Sequence, residues 1–365
     1  MANEQTLEVL SRLIGFDTTS VRSNLALMAW VQDYLSSFGV DSELVYDEAK
    51  TKANLYATVG PVNKAGVMLS GHTDTVPVTG QNWTHPPYRL TEENGRLYGR
   101  GTADMKGFIA VVLAAVPEMK AANLQTPIHL AFSYDEEIGC LGVRRLIETM
   151  RRHPVQPAFC IIGEPTGMQV VNKHKGKLAA CVTVRGQACH SGMAPQGVNA
   201  VNYAARLIGW LEREGLKRHS EGPFEEGYEI PYSTIHTGTV QGGTALNIVP
   251  DHCSFLFEMR NIAAEDPRRL LQQLRDLADD LVTDMRRVGP DCGIDIEVTT
   301  EYPGLSTAED AEVIAFVRTL AERDTIASIN FGTEGACSAG SWRFPRSSAA
   351  LAAWTRGTSR MNLSS

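Results

Sequence analysis

The sequence has no C-x-x-C pair, no apolar stretch long enough to cross a bilayer and, from Ala336 to Ser365, no Asp, Glu or His. Seven cysteines, an odd number without paired spacing, argue against a disulfide framework and for a reducing compartment. The longest apolar run, GFIAVVLAAV, falls far short of the roughly 20 residues that a span requires. The opening MANEQTLEVLSRLIGF has an early acid and amphipathic spacing where a signal peptide would be basic and then apolar. These absences imply a cytoplasmic chain with no membrane partner. The formal net charge of -8 argues against nucleic acid as well. No internal repeat or low-complexity linker is visible.

What is present suits a globular protein. A hydrophobic fraction of 43% with 21% charged residues is ordinary for a packed fold, and 365 residues allow two domains. In the first half, NLALMAWVQDYLSSFGV spaces Leu25, Met28, Val31 and Leu35 along one helix face, and Gly39 suits its end. The short apolar runs NLYATVG, GVMLSG, IHLAFSY and AFCIIGE alternate with helical stretches such as GFIAVVLAAVPEMKAA and CLGVRRLIETMRR. That alternation predicts an α/β domain built on a mostly parallel mixed sheet with helices on both faces.

The pattern changes near Lys177. The strand KLAACVTVRG, the helix VNAVNYAARLIGWLEREG, the strands YSTIHTGTVQGG and HCSFLFEMR, a helix capped by Asp266 with Pro267 at its first position, and the strand GIDIEVTTEY follow in turn. The order β-α-β-β-α-β predicts two helices on one face of an antiparallel sheet. Residues 1–176 therefore read as the first part of a catalytic domain and 177–300 as an inserted α+β domain. Residues 301–335 read as the return to the first domain, and 336–365 as a tail of different character.

Five stretches place His, Asp or Glu where strands end. LSGHTDTVPV offers His72 and Asp74, YGRGTADMKG offers Asp104, FSYDEEIGCLG offers Asp135, Glu136 and Glu137, IIGEPTG offers Glu164, and GQACHSGMAPQG offers His190. Ligands gather at the carboxyl ends of strands in open α/β sheets. Several carboxylates converging there repel one another unless cations neutralise them, and one His among them suits a pair of divalent ions such as Zn2+, with Co2+ or Mn2+ also compatible. Each stretch also has a plain structural reading. His-x-Asp can be a loop pair, DEE a solvated helix start, Glu164 a strand end and His190 a satisfied loop residue.

Together these motifs, in this order and spacing, resemble the co-catalytic metallohydrolases that include aminoacylases, carboxypeptidases, desuccinylases and deacetylases. The resemblance runs from the first helix to about Gly335. It implies a zinc-peptidase-like catalytic domain, two divalent ions, an N-acyl amino acid substrate and a homodimer formed through the inserted domain. It also implies roles. His72, Asp104, Glu137 and Glu164 would be metal ligands, with Asp104 bridging the ions and Asp74 orienting the His72 imidazole. Glu136 would be the general base, His190 would stabilise the developing oxyanion, and Asn247 and Arg260 would contact substrate. Within the family, GFDTTS with SNL, TKANLYATVGP and INFGTEG resemble the acetylornithine deacetylase branch most. Desuccinylases and broader N-acyl-amino-acid amidohydrolases share the same metal kit.

One element of the family pattern is missing. A His in a Gly-His-x-Pro-Asp-Glu segment should serve the Glu137 ion, yet no His follows His252. The break coincides with the change of composition at Ala336. A one-base loss there, natural or from a sequencing error, would account for both, and the alternative is a genuine divergent basic tail that binds a partner. In the alternative frame, Trp354-Thr355 forces Asp and Met361-Asn362 forces Glu, and the codons from Phe344 onward are compatible with PTVVCGPGSMDQGHKPDEFV. The tail is then expected to supply neither the last strand nor the last ligand, leaving an enzyme of doubtful activity or an inactive homologue.

Overall fold

A computed structural model describes residues 3–337 and 349–351. The elements in chain order are α1 (Glu4–Ile14), α2 (Leu25–Ser37), β1 (Ser42–Tyr46), β2 (Ala53–Val59), β3 (Val67–His72), β4 (Thr91–Glu93) and β5 (Arg96–Tyr98). Next come α3 (Lys106–Ala114), α4 (Val116–Ala121), β6 (Ile128–Ser133), α5 (Leu141–Met150), β7 (Phe159–Ile162) and β8 (Val170–His174). They are followed by β9 (Gly176–Arg185), α6 (Ala200–Glu221), β10 (Thr234–Gly242), β11 (His252–Asn261), α7 (Pro267–Met285) and β12 (Gly293–Tyr302). The last are β13 (Leu305–Ser306), α8 (Glu312–Ala321), β14 (Ile326–Ile329) and β15 (Ala349–Leu351).

The chain divides into two compact units. One holds the chain up to Lys173, Leu305–Ser328 and the described residues from Thr333 onward, and the other holds His174–Gly304 with Ile329–Gly332. The first unit is built on a sheet ordered β1-β2-β6-β3-β7-β15-β8-β13, with β14 also paired to β8. Its centre is parallel, since β3 pairs in that sense with both β6 and β7. The β1-β2-β6 side is antiparallel. The reason is local: β1 and β2 are joined by a tight turn in which Asp47 accepts the Thr51 and Lys52 amides at 2.7 and 2.9 Å, whereas β3, β6 and β7 are linked through helices. A core including Leu13, Ile14, Met28, Leu35, Leu55, Ile109, Leu113, Leu130 and Phe132 packs against this sheet. A second cluster joins Val313, Ile314 and Val317 of α8 to Ile161 and Val170.

Helix ends follow from sequence. Asn3 caps α1 by accepting the Thr6 amide at 2.8 Å, and Gly39, at a φ of +65°, ends α2 in the left-handed region. The stretch read as one helix from GFIAVVLAAV into PEMKAA is two, divided at Ala115, because Pro117 lacks the amide that would continue the ladder.

The second unit is an antiparallel sheet ordered β10-β11-β9-β12. Strict alternation on β9 buries Leu178, Ala180, Val182 and Val184, and the register sets them against Met259, Phe257, Phe255 and Cys253 of β11. Leu207 and Leu211 of α6 and Leu270 and Leu274 of α7 close over that face. Asp266 caps α7 by accepting the Arg268 amide at 3.0 Å, with Pro267 at its first position.

The tail departs from expectation in one respect. Ala349–Leu351 form β15, parallel to β7 and antiparallel to β8, so this part of the chain does contribute a strand. The slot between β7 and β8 is filled by backbone hydrogen bonds, for which a short run of small apolar residues suffices. The rest of the tail, 338–348 and 352–365, lies outside the described residues.

Candidate metal centre

Several chemically active side chains of the first unit meet at the carboxyl end of its parallel strands. His72 is the last residue of β3 and is 1% exposed. Its Nε2 lies 2.9 Å from Asp104 Oδ1, while Nδ1 faces the Asp74 carbonyl at 3.0 Å and Asp74 Oδ1 at 3.5 Å. Asp104 stands in the turn before α3, and the Asp104–Met105 peptide bond is cis. Glu164 follows β7 by two residues and is buried. Its placement depends on Gly163, where a Cβ would come within 2.0 Å of the Phe108 ring. The Gly163 amide donates to the Ser70 carbonyl at 3.1 Å, drawing the end of β7 against β3. Among the described residues, His72, Asp104 and Glu164 form a group whose ligand atoms all lie within 4.8 Å of one another.

The DEE stretch is divided by its neighbours. Lys52 Nζ lies 2.5 and 2.7 Å from the Asp135 carboxylate oxygens, so the first acid is paired away from the cluster. Asp74 accepts the backbone amides of Glu136 at 3.0 Å and Glu137 at 3.2 Å, and the Ser20 hydroxyl at 2.8 Å. Asp74 thus orients the His72 ring and also fixes the backbone that presents Glu136 and Glu137. The Glu137 carboxylate does not belong to the three-residue group.

The electrostatics are those of crowded acids. Burial, with neighbouring carboxylates, pushes Glu136 up to about 8 and Glu137 up to about 7, and it raises Glu164 well above the ordinary range. For Asp74, burial is outweighed by His72, the Glu136 amide and Ser20, which hold it below the usual value. Burial likewise opposes charge on His72, but Asp104 and Asp74 more than offset it and raise the imidazole well above its ordinary value. One imidazole among converging carboxylates is the donor chemistry of a divalent cation, whose charge removes the repulsion. The residues present therefore fit a metal ion.

The remaining expected residues belong to the second unit. His190 precedes a short 3-10 segment (Ser191–Gln196), and its Nδ1 accepts the Gly192 amide at 3.1 Å. His190 bridges Ile248, and the Asn247 carbonyl accepts the Ser191 amide at 3.0 Å, so His190 and Asn247 are neighbours. Arg260 is already engaged, with Nε 3.0 Å from Glu258 Oε1, Nη2 3.3 Å from Glu258 Oε2 and Nη1 2.9 Å from the Tyr302 hydroxyl.

Sequence reasoning missed Ser20, Lys52 and Glu334. Glu334 is fully buried, and its two carboxylate oxygens accept the Ser70 and Ser133 hydroxyls at 2.6 Å each. The available signal was an acid in INFGTEG, a stretch used only for its likeness to a family branch.

The model of peptidase family M20/M25/M40 matches residues 68–345. An acetylornithine deacetylase of Myxococcus xanthus is 36% identical over 333 residues, covering 89% of this chain and 83% of that protein. An acetylornithine deacetylase of Proteus mirabilis is 33% identical over 322 residues, covering 87% and 80%. Among solved structures, an M20 family metallo-carboxypeptidase from Sulfolobus solfataricus aligns over 96% of this chain and 91% of its own with a TM-score of 0.74 at 18% identity. A Bacillus subtilis protein described as a dinuclear metal-binding peptidase of the same family aligns over 98% and 90% with a TM-score of 0.66 at 14% identity. At that identity the solved structures speak to the fold, and the family model and the closer relatives speak to descent. A hydrolase fold with a histidine-carboxylate cluster at its strand ends, matched over most of its length, places this chain in peptidase family M20/M25/M40, whose members hydrolyse amide bonds.

Proposed function

We propose that this chain is a cytoplasmic acetylornithine deacetylase that hydrolyses N2-acetyl-L-ornithine to L-ornithine and acetate in arginine biosynthesis. The observation that carries the reading is the His72, Asp104 and Glu164 group, with Glu136 and Glu137 held beside it by Asp74. The deacetylase relatives at 36% and 33% identity favour this substrate over a succinylated one.

His72, Asp104 and Glu164 would hold one ion and Asp104 and Glu137 the other, with Zn2+ the best match to one imidazole among carboxylates and Co2+ or Mn2+ as alternatives. Ions held there would supply a lowered pKa for water and polarisation of the acetyl carbonyl. The Glu136 carboxylate takes the proton of the attacking water and delivers it to the departing amine nitrogen, so that amide and water become acid and amine. His190 is assigned to the oxyanion and Asn247 and Arg260 to substrate. Glu258 and Tyr302 leave part of the Arg260 fork for an α-carboxylate, since a guanidinium carries five N–H donors. A homodimer through the second unit is supported by its edge strand β10, which leaves Val240 54% exposed.

A second reading has its own observation. The absence of His after His252 leaves the Glu137 ion without the ligand that the family pattern supplies, which favours an inactive homologue or a displaced reading frame from about Ala336. Assaying N-acetyl-ornithine beside N-succinyl and other N-acyl amino acids, with metal content by elemental analysis, tests both readings. Preference for a succinylated substrate would sink the deacetylase assignment, and inactive protein that holds fewer than two ions would favour the second reading. Reading the bases around the Ala336 codon decides the frame.

A further inference from the structure

Ser70 and Ser133 lie on neighbouring parallel strands, and the register pairs Ser133 with His72, while Ser70 precedes His72 by two residues. Residues two apart on a strand, and in-register partners on a parallel neighbour, share a face. The Glu334 carboxylate, accepting both hydroxyls at 2.6 Å, is therefore seated on the His72 side of the sheet, at the strand ends that carry the candidate ligands. Seating two serines does not require an acid. An amide of the same shape can accept from one hydroxyl and donate to the other, without placing a further carboxylate near Asp74, Glu136 and Glu164. A fully buried acid at this point raises the like-charge cost of the site, and a cation is what offsets it.

We propose that Glu334 is a buried anion that strengthens cation binding at the His72, Asp104 and Glu164 centre while it seats Ser70 and Ser133. It acts through the field and strand geometry beneath His72, so it is a positioning residue and not a ligand. The inference rests on the metallohydrolase reading above.

The test compares the full-length parent with Glu334→Gln, which keeps the shape and the hydrogen bonding but removes the charge. Zn2+ affinity is measured by competition with a chromophoric chelator, and melting temperature is measured after chelation. The dissociation constant for Zn2+ should rise about tenfold or more, while the chelated variant melts no lower than the chelated parent. Unchanged affinity in Glu334→Gln, or a chelated variant that melts well below the chelated parent, would overturn the proposal in favour of a purely structural acid. Should the parent bind no Zn2+ at all, the metallohydrolase reading fails and this inference falls with it. A parent that binds beside an equally tight variant sinks the inference alone.

Discussion

At the scale of single residues, the centre separates roles that the chain places side by side. Glu136 and Glu137 are adjacent, and their amides share one carboxylate, that of Asp74. If Glu136 is the proton carrier, Glu136→Gln should lower kcat about a hundredfold or more while leaving metal content unchanged. Loss of metal in that variant would make Glu136 a ligand instead. Two histidines elsewhere give a separate pH effect. Burial holds both His129, near the Tyr56 and Thr58 hydroxyls, and His174, beside the Lys175 carbonyl, down to about 4. Each folded-state pKa lies below the ordinary histidine value of 6.5, so below that value the unfolded chain binds protons that the folded chain refuses. The stability these neutral rings contribute is complete above about pH 6.5 and is lost as pH falls toward about 4, on the order of 3 kcal/mol for each ring. Melting temperature followed across that window should fall less steeply in His129→Gln than in the parent, and identical slopes would remove His129 from the account.

At the scale of elements, the candidate site depends on how closely β7 passes α3. Gly163 permits that approach because Phe108 fills the space where a Cβ would stand, at 2.0 Å from the ring. Gly163→Ala must move the Phe108 ring or the β7 end, at a cost of about 1–3 kcal/mol, and with it Glu164. Thermal unfolding and metal titration should therefore both worsen in Gly163→Ala. A variant that lost stability yet kept parental metal affinity would show that Glu164 is positioned independently of that contact.

At the scale of the whole molecule, metal and fold are linked. Carboxylates that converge at the strand ends repel one another until a cation binds, so chelation should lower the melting temperature of the chain by several degrees and added Zn2+ should restore it. The missing histidine adds a count. Because no His follows His252, the chain should retain about one ion through gel filtration, and a chain restored to the alternative frame should retain about two. Two tightly held ions in the chain as it stands would show that the second site closes without that ligand.

Much of this was legible without coordinates. Apolar strands with a His or an acid at or just past their ends, as at His72 and Glu164, mark a parallel sheet and its ligand-gathering edge, because strand burial and turn chemistry are local properties. The alternation of β9 and the Asp266-Pro267 cap announced the second unit for the same reason. Sheet order was not legible, since β6 enters between β2 and β3, out of chain order. Nor was the separation of Asp135 from its two neighbours, made by Lys52 from 83 residues away. Glu334 was least visible of all, because its partners Ser70 and Ser133 lie 264 and 201 residues upstream. The sequence by itself determined which residue types stand at which strand ends. Only the tertiary structure decided which of them share one buried volume, because burial and charge act through space and not along the chain.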